Sequence, residues 1–361
     1  ALVRPAGQHD ARDRVGLIVT AARVRTIAFF NNKGGVGKTT LVYHLAWMFA
    51  ELGVDTLAVD LDPQADLTAS FLSDEEVEAV WDGQSAAQTV FDTLRPLIVG
   101  TGVPTRPRPA ELRPPHMFDA AGALWLLPGD LRVSTLEDEL SRAWGDCADR
   151  RERAFRITAA FDRLAQEAAR ERRVELILVD LGPNLGAINR AALLMADDIV
   201  IPMCPDLYSL QGLRNLGPTL RAWRGEWRRR VEGAPAGLEL SLPRGEMQPL
   251  GYVVLQHSVR LDRPVKAYDH WIERIPAEYR EHMLGEPPTT PVAVSEDPHC
   301  LSSLKHYRSL MPLAQERRKP MFKLSPADGA IGSHAKAVAD VDADFRRLAR
   351  EIARRTIGDL R

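Results

Sequence analysis

Apolar residues along the chain fall into short continuous runs separated by stretches of helical spacing. The run VRTIAFF (24–30) is β-branched and aromatic, and it stops at Asn-Asn-Lys-Gly-Gly, which predicts a buried strand ending in a sharp turn. From about Gly37 to Leu52, Leu41, Leu45, Met48 and Phe49 recur at the helix period, and Gly53 closes the helix. VDTLAVDLD (54–62) supplies a second strand, so strand, helix and strand make a βαβ unit, which implies a parallel sheet. The theme then returns. ALWLLPGDL (123–131) predicts a strand and a turn, followed by helices over 132–144 and 151–172. Strands are predicted at 174–180, 198–203 and 250–256, with helices at 186–196 and 207–231. A closing amphipathic helix over 335–357 carries Val338, Val341, Phe345, Leu348 and Ile352 on one face.

Other stretches break this pattern. Residues 1–23 predict a loose N-terminal arm. Between 73 and 122 an acidic SDEEVE is followed by a Pro- and Arg-rich segment, expected to be a surface insertion or loop because repeated prolines interrupt helix and ladder alike. A Gly/Pro-rich loop is expected at 232–249, and 257–334 has no clear period. The expected architecture is one α/β domain over 24–361, doubly wound, with a mostly parallel sheet, helices on both faces and peripheral insertions. No internal repeat is evident.

Composition narrows the function classes. Apolar residues make up 45% and charged residues 27%, the balance of a globular protein with a sizeable core. A net charge of −2 advertises neither nucleic acid nor an anionic membrane, so either contact would need a local patch. Cys147, Cys204 and Cys300 are far apart and form no CxxC, which argues against a disulfide framework or zinc and for a reducing cytoplasm. The apolar runs are strand-length, and the first residues lack a signal peptide's apolar core. His9, His257, His299 and His334 are scattered, so the only metal expected is one carried with a nucleotide.

The chemistry concentrates in GGVGKTT (34–40), placed between a predicted strand and a helix as a phosphate-binding loop requires. Its glycines let backbone N–H groups turn toward phosphate oxygens, and the helix N-terminus adds partial positive charge. Lys38 would reach the β- and γ-phosphates, and the Thr39 hydroxyl would ligate Mg²⁺. Asp180, at the end of the buried strand ELILVD, is placed as a Walker B carboxylate near that ion. Asp60 and Asp62, in VDLDPQADLT, read equally as a pair facing the phosphates or as a helix cap and a turn before Pro63.

Taken together, KGGVGKTT, VDLDPQADLT, LLPGDLRVSTLEDEL, the run from LILVDLGPN to SLQGL and the closing DFRRLAREI resemble the ParA/MinD family of deviant Walker A ATPases, most closely the ParA-type partition ATPases. The resemblance implies a P-loop NTPase fold, ATP and Mg²⁺ as ligands, and a homodimer with ATP sandwiched at its interface. It implies that Gly34, Gly35, Val36, Gly37, Lys38, Thr39 and Thr40 bind the nucleotide with Lys33, the signature lysine that crosses to the partner's phosphates. Asp62 then positions or activates the attacking water, so Lys33, Lys38 and Asp62 form the catalytic set. Thr39 is the Mg²⁺ ligand, with Asp60 and Asp180 in its network, reached through water. A lysine aimed at a phosphoryl group from the neighbouring subunit would act as an arginine finger does in trans.

Two departures stand out. Gly182 replaces the first of two prolines the family usually carries after Asp180, which implies a looser loop near the γ-phosphate. Leu255, Gln256 and His257 stand where the family often has Thr or Asn near the adenine.

The resemblance further implies slow hydrolysis until a ParB-like or other partner stimulates it, and non-specific DNA binding by the ATP dimer, hence association with the nucleoid. Arg221, Arg224, Arg228, Arg229 and Arg230 on the helix at 207–231 are the candidate DNA contacts, joined by a second basic run, Arg317, Arg318, Lys319 and Lys323. The first run reads as readily as a solvated helix face with Trp223 and Trp227 packed inward. The arm before the first strand is too short for the helix-turn-helix domain of some plasmid members. Rival roles are a nucleotide-gated scaffold that does not act on DNA, or a MinD-like ATPase that cycles on membranes through its closing helix. That helix has a narrow apolar stripe and no bulky terminal aromatic, which favours packing back on the core.

Overall fold

Three apolar runs form the middle of one sheet: β1 (Arg25–Phe29), β2 (Thr56–Asp60) and β5 (Leu176–Asp180), each buried almost end to end. Such runs suit strands covered on both faces, where no alternation of polar residues is needed. A computed structural model describes residues 23–113, 120–255, 270–287, 291–305, 307 and 310–360, so the predicted arm up to residue 22, Gln256 and His257 lie outside the described residues. The eight-stranded sheet has the order β3-β4-β2-β5-β1-β6-β7-β8. The remaining strands are β3 (Ala110–Leu112), β4 (Leu124–Leu127), β6 (Asp198–Met203), β7 (Gln248–Leu255) and β8 (Cys300–Leu304). Every described pairing is parallel except β3 with β4.

Helices cover both faces. On one side, α1 (Lys38–Glu51) packs against the closing helix α12 (Ser333–Thr356). On the other lie α5 (Glu137–Ala148), α6 (Glu152–Thr158), α7 (Ala160–Arg172), α8 (Ala187–Met195) and the long α9 (Leu207–Glu232). Val341, Phe345, Leu348 and Ile352 of α12 are buried in the α1-side core, so the stripe weighed for a membrane is spent on packing. Among the described residues, no helix is long and apolar enough to cross a membrane.

The expected insertion at 73–122 carries structure. Ser73 and Glu76 form a reciprocal capping box that starts α3 (Asp74–Trp81), so the acidic run is a helix first turn. Thr89 caps α4 (Val90–Ile98), which tolerates Pro96 near its C-terminal end. β3 then pairs antiparallel at the sheet edge, its neighbouring Pro107 and Pro109 lying before the ladder. The segment 257–334, opaque in sequence, contributes α10 (Ile275–Glu278), a π-helical turn over 279–284, β8 and α11 (Leu310–Arg317). The two predicted helices at 132–144 and 151–172 resolve into a 3-10 turn over 131–136 with α5, and α6 with α7, which meet at Ala159.

Strand register lines up the carboxylates. Asp60 sits beside Asp180, and Asp180 beside Phe29, so β1, β2 and β5 end at one level. Their three exit loops therefore open at the same edge, the place where open parallel sheets hold ligands.

Candidate nucleotide-binding site

The turn after β1 contains Gly35 (φ 68°) and Gly37 (φ 88°), both in left-handed conformations that residues with a Cβ resist. A Cβ on Gly37 would also stand 3.1 Å from Leu255 Cδ1. Helix α1 starts at Lys38 with no side-chain cap, so its first amides and the positive end of its dipole face the turn. That is a cradle for an anion built from backbone alone.

Lys38 is buried against this turn, its Nζ 3.4 Å from the Lys33 carbonyl oxygen. Burial pushes its pKa down, opposed by the carboxylates of Asp180 and Asp62. The Thr39 hydroxyl donates to Asp180 Oδ2 at 2.7 Å. Asp180 is wholly buried and its Oδ1 has no hydrogen-bond partner. Burial, with Asp60 beside it, drives the Asp180 pKa well above the usual carboxylate range, while the Thr39 bond and Lys38 pull it back. An orphaned carboxylate oxygen next to a threonine hydroxyl is the donor set of a hard divalent cation, so these residues fit Mg²⁺.

Asp62 lies on the cavity side of the β2 exit. Its Oδ1 accepts from the Gln64 amide at 3.0 Å, and a Cβ on Gly182 would come 3.2 Å from that oxygen. Gly182, standing where the family carries proline, thus lets Asp62 lie against the loop after β5. Asp60 has a different set of partners from those expected of a residue in the metal and water network. Its Oδ2 accepts from the Thr68 amide at 2.8 Å and from the Thr68 hydroxyl at 2.7 Å, and its Oδ1 from the Asp62 amide at 3.3 Å. It braces the loop that carries Asp62, and burial raises its pKa to about 7.

The loop from Gly34 to Thr40, with Asp62, Gln64, Asp66 and Pro183, lines a cavity of about 540 Å³. Sequence reasoning missed the far wall: Leu304, Lys305, Tyr307, Met311, Met321 and Phe345 join Leu255 there. Tyr307 is held by its hydroxyl, which donates to Asp344 Oδ2 at 2.6 Å. Of these, the sequence had marked Phe345, as part of the closing helix's apolar stripe.

Lys33 points elsewhere. Its ammonium pairs with Asp206, the N-cap of α9 in the same chain. The arginines of α9 are divided. Arg221 donates to the His282 carbonyl at 2.6 Å, Arg224 to the Met247 carbonyl at 2.8 Å, and Arg230 to the Trp144 carbonyl at 3.0 Å. Arg228 and Arg229 are exposed, while Trp223 and Trp227 are packed inward, as expected of a solvated helix face. In the second basic run, Arg318 pairs with Asp74, Lys319 with Asp328 and Lys323 with Glu51.

Known proteins place this arrangement. The family model described as an AAA domain matches residues 24–232. The chromosome-partitioning ATPase Soj of Thermus thermophilus is 30% identical over 205 residues, which cover 56% of this chain and 64% of Soj. The chain thus spans less than two thirds of that relative's length. Protein DIP2308 of Corynebacterium diphtheriae superposes with a TM-score of 0.67 at 26% identity, covering 92% of this chain and 98% of that one. The structure of pNOB8 ParA bound to nonspecific DNA has a TM-score of 0.54 at 17% identity, with coverage of 92% and 98%, and shares the fold.

Proposed function

The chain belongs to the ParA-type family of partition ATPases, and from that premise we propose that it hydrolyses ATP and dimerises when ATP is bound. The observation that carries this reading is the convergence of the phosphate cradle, Lys38, the Thr39–Asp180 pair and Asp62 on one cavity. The backbone of Gly34 to Thr40 would hold the phosphates, and Lys38 would reach the β- and γ-phosphate oxygens. Thr39 and Asp180 would hold Mg²⁺, which would supply positive charge beside the phosphates. Asp62 orients the attacking water and accepts its proton at a carboxylate oxygen. Asp60 acts behind it, keeping the Asp62 loop in place.

Lys33 completes the site from the other subunit, so each nucleotide is shared by two chains. The dimer doubles whatever basic surface one chain presents, and Arg228 and Arg229 are its exposed candidates for non-specific DNA contact. The resulting role is partition of DNA or positioning of a cargo over the nucleoid, with hydrolysis accelerated by a ParB-like partner. That the pNOB8 relative was solved on nonspecific DNA supports this part of the reading.

Sedimentation of the full chain with Mg²⁺ and ATP tests the core of it. Wild type is expected to form dimers, and Lys33→Ala to stay monomeric while still binding ATP. ATP-dependent dimers of normal affinity in that variant would sink the shared-nucleotide reading.

A further inference from the structure

The signature lysine is engaged within its own chain. The Lys33 ammonium meets the carboxylate of Asp206 at the start of α9. The backbone around it is held: the Lys33 amide donates to Asn31 Oδ1 at 2.9 Å, and Asn31 Nδ2 donates to the Pro202 carbonyl at 2.7 Å. Asn32 lies so close to α9 that a Cβ on Gly212 would come within 2.6 Å of its Oδ1. With the loop tied at these points, any reach toward another chain falls to the lysine side chain.

We propose that Asp206 is a positioning residue for Lys33, a latch that holds the lysine in its own chain until a second copy brings its nucleotide phosphates within reach. The inference rests on the shared-nucleotide reading of Lys33. Both side chains are about a quarter exposed, 27% and 26%, so the pair is wetted and readily exchanged. A triphosphate offers several anionic oxygens against one carboxylate, and so wins the lysine when it arrives. Leu207 and Tyr208, next along the same turn, are 49% and 73% exposed, which leaves the latch on open surface where a second copy reaches it. Asp206 also caps α9, its Oδ1 accepting from the Ser209 amide at 2.9 Å. Release of the lysine therefore removes charge from the start of the helix that carries Arg228 and Arg229.

Asp206→Asn separates the two roles, because asparagine caps a helix about as well as aspartate but carries no charge. Sedimentation equilibrium of the full chain with Mg²⁺ and ATP is the readout, with thermal melting to check the fold. Asp206→Asn is expected to melt like wild type and to dimerise roughly five-fold more tightly, the worth of two part-exposed ion pairs, one released in each copy. The double variant, Lys33→Ala with Asp206→Asn, should stay as monomeric as Lys33→Ala alone. Unchanged or weaker dimerisation of Asp206→Asn overturns the latch, as does a gain that persists without Lys33. If Lys33→Ala itself dimerises normally, the shared-nucleotide reading fails. If Lys33→Ala fails to dimerise and Asp206→Asn matches wild type, the latch alone fails.

Discussion

The edge where β1, β2 and β5 end and the far half of α9 are both rich in charge, yet they use it in opposite ways. At the sheet edge, Lys38, Thr39, Asp62 and Asp180 are brought together by register, and their charges are left incompletely matched: Asp180 Oδ1 has no partner. Along α9, charge is consumed by the fold. Arg214 forms a bidentate pair with Glu278 at 2.8 and 2.6 Å, and Arg221, Arg224 and Arg230 each donate to a backbone carbonyl. A ligand site advertises itself by what it leaves unsatisfied, because an unpartnered buried polar atom is costly unless something binds it. Among the α9 arginines that mark falls on Arg224 Nε, while Arg228 and Arg229 face solvent.

Mutations that treat the two regions alike would break this contrast, and the largest effect is expected at the site. Asp62→Ala should lower the rate of phosphate release by about 100- to 1000-fold while ATP affinity changes little. Equal losses in both, measured by phosphate release and equilibrium dialysis, would make Asp62 a binding residue instead. Gly217→Ala probes the structural use of α9. A Cβ there would stand 1.8 Å from the His282 carbonyl oxygen, backbone that cannot move aside. Denaturant titration should show a loss of about 3 kcal/mol, with the nucleotide site intact once the protein is folded.

A smaller effect separates the arginines. Changing Arg228 and Arg229 together to Ala removes four arginines from the dimer and should reduce the slope of log affinity against log salt for non-specific duplex by about four, with no change in melting temperature. Arg224→Ala should instead lower the melting temperature, because the Met247 carbonyl loses its donor. The reverse outcome would mean that the packed arginines are the DNA contacts.

The smallest expected signal is a proton count. Burial raises the Asp60 pKa to about 7, and that of Asp180 well above the usual range. Their folded-state pKa values exceed the unfolded ones, so the associated stability is fully present below the unfolded carboxylate range. It is lost as pH rises through about 7. A divalent cation favours the ionised carboxylate, so binding of Mg²⁺ and ATP should expel part of a proton at pH 6.5. Calorimetry in buffers of different ionisation heat measures this, and no release at pH 6.5 would contradict the assignment of Asp180 to the cation.

The contrast also sorts what was legible in the sequence. The phosphate loop, Asp62 and Asp180 were visible because a strand, a glycine turn and a helix start are local events, encoded within a few residues. Asp60 was visible as a carboxylate but not as a brace, since Thr68 reaches it only when the β2 exit folds back. The wall made by Tyr307, Met311, Met321 and Phe345 was not legible, because its residues come from separate segments with no shared period, and the stripe that holds Phe345 does not say what it faces. In 73–122, prolines masked α4 and β3, although Pro96 falls near the end of one and Pro107 and Pro109 precede the other.

By itself the sequence determined the order of six of the eight described strands, the parallel sheet they imply and the residues at the exits of β1, β2 and β5, since periodicity and glycine placement act over short distances. Only the tertiary structure decided that Asp60 turns to Thr68, that Lys33 is held by Asp206 and that α9 spends most of its arginines on its own fold. Those choices depend on which groups a guanidinium, an ammonium or a buried carboxylate finds across hydrogen-bonding distance, and that is settled when distant segments pack.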